Sequence, residues 1–290
     1  MVCLSETKYI PELKKLWKLC FPEDSDVFID FYFDEVYKNE ETLVIVKNDQ
    51  LIASLQMIPF PLKINQSISF AGYISGAMTH PDFRKKGYME VLLKASFEKM
   101  KEKGFDYTFL IPQEKWLFDM YAKFGYEKAF PSESQAIIIN SLPEEKSEKN
   151  ILRDKEIHIF KSRKEVDINN FFIIYYRFLM ENDQVILKTK PQLKKILGVF
   201  FDENGILFAN DWGIAFVQQT ENNVHIKEFF YFDPEIKTDF LKAIADYFSV
   251  EKVTCQTYLS SKTSNFYGMI KSLNDSVFPS ENIYMSQMFD

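Results

Sequence analysis

Apolar residues recur at helical spacing in the opening stretch of the chain, then give way to short apolar runs closed by turn residues. Positions 10–19 and 25–38 read as amphipathic helices, separated by Phe21-Pro22-Glu23-Asp24. The run 43–46 stops at the turn Lys47-Asn48-Asp49-Gln50, 51–58 follows as its hairpin partner, and 67–79 supplies another strand or two. The spacing then predicts a helix over 88–103. Its apolar residues are Met89, Leu92, Leu93, Phe97 and Met100, Glu90 pairs with Lys94 at i,i+4, and Gly104 ends it. The run 107–111 is of the buried-strand type, 114–123 is a short helix, and strand resumes from Tyr126.

Segment 141–150 (SLPEEKSEKN) is charged, poor in apolar residues and contains a proline, as a linker would be. It divides the chain into an expected domain at 1–140 and a second at 151–290. The second half repeats the order of the first: helices at 169–180 and 192–200, strands at 206–209, 214–218 and 225–231, and a helix at 237–248. A strand at 253–256, a helix at 265–273 and a last strand at 283–289 follow. This order reads as a weak internal duplication.

Composition narrows the function classes. A chain of 290 residues with 46% hydrophobic and 27% charged positions is globular, with length for two domains. The formal charge of −7 argues against broad binding to nucleic acid or an anionic membrane. No long apolar span or signal peptide is read in the sequence, and Glu6, Lys8, Pro11 and Glu12 break up the N-terminal region. A cytoplasmic protein is therefore expected. Cys3, Cys20 and Cys255 are far apart, as are His80, His158 and His225, so reduced thiols and no metal centre are expected.

The most informative stretch runs from Gly76 to Met89. A strand enters a turn at His80-Pro81, the turn becomes the basic loop Arg84-Lys85-Lys86-Gly87, and the loop opens the long helix. Such a helix start presents free N–H groups and the positive end of a dipole to an anion, and Gly87 lets the backbone come close. Lysines oppose that dipole unless a polyanion is bound. A surface turn with solvated lysines is the competing reading.

The stretch resembles motif A of the GNAT acetyltransferases, in which a Gln/Arg-x-x-Gly-x-Gly/Ala loop binds the coenzyme A pyrophosphate. Here it reads Arg84-x-x-Gly87-x-Met89, with Met89 departing from the small residue of the family. Downstream, Asp119-Met120-Tyr121-Ala122-Lys123-Phe124-Gly125-Tyr126 resembles the closing helix and strand of that family, and the combination looks most like the enhanced-intracellular-survival branch. The resemblance is strong over 72–127 and only architectural in the second half. It implies an α/β (α+β) fold of tandem GNAT-like domains, each a mixed, mostly antiparallel sheet flanked by helices.

It also implies roles. Ala77, Met78 and Thr79 would offer backbone groups to the pantetheine arm and thioester of acetyl-CoA. Arg84 and the N–H groups of Lys85, Lys86, Gly87, Tyr88, Met89 and Glu90 would hold the pyrophosphate, and Trp116 and Leu117 would flank the acyl end. Tyr121 matches the tyrosine that protonates the departing thiolate. Asp26, Asp30 and Asp34 recur at i,i+4 in the region bordering the acceptor pocket, where they would attract a cationic amine; a solvated face is the alternative. In the second half, Asp233-Pro234-Glu235 enters the corresponding helix, and two acids there imply that coenzyme A binding is lost. The expected activity is acetyl transfer to a primary amine of a small, cationic acceptor. The rivals are a non-catalytic acyl-CoA-binding module and a tRNA-dependent aminoacyltransferase, the latter disfavoured by the net charge.

Overall fold

A computed structural model describes residues 1–142, 156–221, 223–258, 265–274, 282–286 and 288. The first elements in chain order are β1 (Val2–Leu4), α1 (Ile10–Cys20), α2 (Asp26–Phe31) continued by a π-helical turn at Tyr32–Val36, β2 (Thr42–Lys47), β3 (Gln50–Ile64) and β4 (Ser67–Thr79). Then come α3 (Tyr88–Glu102), β5 (Tyr107–Leu110), α4 (Lys115–Ala122), β6 (Glu127–Pro131), β7 (Glu133–Ile138), β8 (His158–Phe160), α5 (Ile168–Met180) and β9 (Gln184–Ile186). The last are α6 (Lys190–Asp202), β10 (Ile206–Asn210), β11 (Gly213–Thr220), β12 (Asn223–Tyr231), α7 (Pro234–Phe248), β13 (Lys252–Thr257) and β14 (Phe266–Ser272). One sheet runs β1-β2-β3-β4-β5-β14-β6 and the other β7-β13-β12-β11-β10-β8. Both are mainly antiparallel, with β4–β5 parallel in the first and β12–β13 parallel in the second.

Contacts divide the chain into two compact units, Met1–Ala129 with Phe266–Glu281 and Phe130–Asn265 with Asn282–Asp290. These limits differ from a linear division into 1–140 and 151–290. β7, from the first half of the sequence, pairs antiparallel with β13, while β14, from near the end, pairs antiparallel with β5. Residues 143–150 of the expected linker lie outside the described residues.

β14 corrects the helix expected at 265–273. Gly268, Met269 and Ile270 are buried in succession, as in a strand covered on both faces, so the segment lacks the alternation that marks a half-exposed strand. The strand expected at 283–289 is, among the described residues, a single bridge between Tyr284 and Val185.

In the first unit the helical periodicities are realised. α1 buries Leu13, Leu16 and Trp17, and α3 buries Leu92, Leu93, Phe97 and Met100, each worth roughly 2 kcal/mol of apolar burial. Ser25 caps α2 by accepting from Phe28 N (3.1 Å). Asn48 and Asp49 both have positive φ (51° and 60°), as the tight turn between β2 and β3 requires. β3 and β4 form one long hairpin, from Ile64↔Ser67 to Ala53↔Thr79.

Candidate active site

Two irregularities in β4 prepare the site. Ser54 lies opposite Met78 and Gln56 opposite Ser75, so Gly76 and Ala77 together face Leu55 in a β-bulge. Gly76 has φ +54°, and a Cβ there would stand 2.8 Å from the Trp17 ring, so both conformation and space demand glycine. β4 also pairs with β5 only from Ala71 to Tyr73, opposite Tyr107 to Phe109. Beyond Tyr73 that pairing ends, and 74–79, with Ala77, Met78 and Thr79 at its end, continues without a β5 partner on that edge.

The loop leaves this strand end directly. Pro81–Phe83 forms a helical turn, Arg84 N donates to Pro81 O (3.3 Å), and α3 begins after Gly87. Gly87 has φ +83° and α3 has no side-chain cap. From Lys85 to Glu90 no backbone N–H has a hydrogen-bond partner among the described residues; the ladder of α3 resumes with Val91 N donating to Gly87 O (3.1 Å). Six consecutive donors at the positive end of a helix form an anion cradle. Arg84 and Lys86 brace the loop. Arg84 donates from Nε to Thr79 O (3.2 Å) and from Nη2 to Cys20 Sγ (3.6 Å), and Lys86 Nζ donates to Asp82 O (2.8 Å). Lys85 holds φ +60°, a left-handed conformation costing a non-glycine residue about 1–2 kcal/mol, and its exposed ammonium has no partner among the described residues.

Tyr121 lies on α4 near its C-terminal end, 7% exposed, in the core that contains Leu92, Phe97 and Tyr126. Its ring meets Tyr126 edge-on at 5.8 Å. Burial pushes its hydroxyl up to about 12. That hydroxyl bonds to no group among the described residues, yet it is not among the fully enclosed unsatisfied atoms. Tyr126 differs: its hydroxyl lies 3.0 Å from Thr108 Oγ1, which donates to Gly72 O (2.9 Å).

Residues 4–129 match the family model described as an acetyltransferase (GNAT) domain. That match falls on the first unit. Over the whole chain, similar solved structures include a probable N-acyltransferase from Enterococcus faecalis V583 (TM-score 0.76, 12% identity, 94% of this chain and 72% of that one). Others are a GCN5-related N-acetyltransferase from Anabaena variabilis (0.74, 16%, 94% and 73%) and Eis1 from Mycobacterium abscessus (0.72, 10%, 94% and 74%). At these identities the likeness is one of fold, and it extends over both units. Comparison with the curated proteins gives no match.

Within the first unit the structure treats the remaining sequence candidates unequally. Leu117 packs against the core beside Tyr121, whereas Trp116 is 59% exposed, its Nε1 donating to Glu114 Oε2 (2.5 Å). Asp26, Asp30 and Asp34 stand on an outer face and are met by lysines of α1: Lys18 lies 3.2 Å from Asp26, and Lys14 lies 2.7 Å from Asp30 and 4.0 Å from Asp34. Each of the three is exposed and ion-paired. Asp30→Asn should therefore leave the Michaelis constant of every amine acceptor unchanged within about twofold and cost about 0.5 kcal/mol or less in denaturant melts.

Sequence reasoning missed the buried polar group behind the bulge. The Tyr32 hydroxyl lies 2.8 Å from both Gln56 Oε1 and Ser75 Oγ, and Gln56 Nε2 donates to Val36 O (3.2 Å). The one available signal was Gly76, a glycine inside a strand pattern. No helix of the described residues is long and apolar enough to cross a membrane.

Proposed function

We propose that this protein transfers an acetyl group from acetyl-CoA to a primary amine of a small molecule, using one cofactor site per chain, in the first unit. The observation that carries the reading is the run of six unpartnered N–H groups, Lys85 to Glu90, at the end of a strand parted from its neighbour. The cradle suits a pyrophosphate, Lys85 adds a free cation, and the edge of β4 from Ala77 to Thr79 offers main-chain groups to an extended pantetheine arm. Acetyl-CoA supplies the activated acyl group; Tyr121 holds a proton for the sulfur as negative charge develops there.

Among the described residues the second unit has no equivalent cradle. α7 is capped by Asp233, whose side chain accepts from Ile236 N (2.9 Å), and Glu235 adds a charge in its first turn. Both disfavour a phosphate. Calorimetric titration should therefore return one acetyl-CoA per chain, and thiol release with a panel of amines should identify the acceptor. Two sites of similar affinity, or none, would contradict this assignment.

A further inference from the structure

The second unit repeats the parting of strands without the phosphate loop. β12 and β13 pair in parallel only at His225↔Thr254 and Ile226↔Cys255. Past that point β12 carries on through Phe230 and Tyr231, and a cavity of about 360 Å³ opens between the strands. That volume suits a small molecule and is lined largely by aromatic rings. Phe178 stacks on Phe230 at 5.3 Å, and Tyr258 meets Tyr284 edge-on at 5.9 Å.

The polar groups of the lining are mostly committed. Tyr258 donates to Lys227 O (2.8 Å) and Tyr284 to Glu228 Oε1 (2.8 Å), so both rings turn apolar surface to the cavity. Gln256 donates to Ser132 Oγ, and Thr257 to Glu133 O (3.1 Å). Lys237 is different. Half-buried in the lining, its ammonium stands 5.4 Å from the centre of the Tyr231 ring and has neither a hydrogen bond nor an ion pair among the described residues. It sits at the start of α7, where a cation opposes the helix dipole. The other charged lining residue, Glu181, is exposed and stays solvated.

We infer that this cleft binds a small, flat, apolar monocarboxylate, its ring lying against Phe178, Phe230 and Tyr284 and its carboxylate on Lys237 Nζ. A phosphate-bearing ligand is disfavoured because Asp233 and Glu235 occupy the start of α7. The inference stands on the second unit alone and does not depend on the acetyl-transfer reading.

The test is a titration of the full chain with phenylacetate and, as its charge-reversed counterpart, phenethylamine, followed by calorimetry and by amide shifts. Phenylacetate should bind and shift the amides of Phe230, Tyr231 and Tyr258. Lys237→Met, which keeps an apolar stem, should weaken it about tenfold or more, the worth of one charge-assisted contact, whereas Lys237→Arg should retain it. Gly87→Asp should leave it unchanged. Any of four results would overturn the inference: no binding of phenylacetate at millimolar concentration, equal or tighter binding of phenethylamine, undiminished affinity in a Lys237→Met variant that melts like the parent, or displacement of phenylacetate by acetyl-CoA.

Discussion

Gly87→Asp is expected to abolish acetyl-CoA binding while leaving the fold in place. The residue sits at φ +83°, and a Cβ added there would find no heavy atom within 4 Å. The new side chain meets open space, so the cost is conformational, about 1–2 kcal/mol. An acid beside the start of α3 interacts favourably with the helix dipole and offsets part of that cost. The same acid stands in the middle of the cradle formed by Lys85 to Glu90. Two like charges about 4 Å apart at an effective dielectric near 20 repel by about 4 kcal/mol, on the order of 10³ in affinity. Gly87→Asn carries the same backbone strain without the charge and should lose far less. Calorimetry of both variants, with melting curves to show that both are folded, separates the two effects. Equal, small losses in the two would mean that no phosphate lies against this loop.

That loop was legible in the sequence because all its determinants are local: a strand, a proline turn, three basic residues, a left-handed glycine and an amphipathic helix, contiguous from Gly76 to Met100. The place of Tyr121 on a short helix before the Gly125 turn was legible for the same reason. What escaped depends on partners distant in sequence. The ion pairing of Asp26, Asp30 and Asp34 is one such feature: their partners, Lys14 and Lys18, belong to the preceding helix and meet them only in three dimensions. β14 looked helical because a strand hidden on both faces has no alternation to show, and aromatic, Gly and Met residues in a row satisfy either period. The linear division at 141–150 followed composition, which is blind to β7 and β14 joining sheets built mostly from the other half of the chain. The opening between β12 and β13 could not be read at all, since it is the ending of a strand pairing rather than any residue pattern.

Tyr121→Phe should lower turnover by a factor on the order of 10² to 10⁴, the usual worth of a positioned acid, with little change in acetyl-CoA affinity. The substitution removes one oxygen and keeps the ring that packs edge-on against Tyr126, so the core is preserved. The hydroxyl is available for the role because no group among the described residues engages it. Its burial also defines how it acts. A phenol pushed up to about 12 is protonated throughout the working range, so its donor is always present. A thiol titrates near 8.5, so full transfer to the sulfur runs uphill, and Tyr121 acts first by hydrogen bonding to the sulfur as charge develops. Two consequences can be measured. Turnover should show no falling limb from Tyr121 ionisation until the pH nears about 12. The neutral hydroxyl also contributes stability that is complete below the unfolded value near 10 and is lost as pH rises through about 12, a loss that Tyr121→Phe should reduce. Tyr126→Phe is the internal control: its hydroxyl is already held by Thr108, so its removal should cost about 1 kcal/mol of stability and leave turnover within a few fold. Equal losses in the two variants would show a general packing effect, and full activity in Tyr121→Phe would leave the thiolate to depart without an acid from this chain.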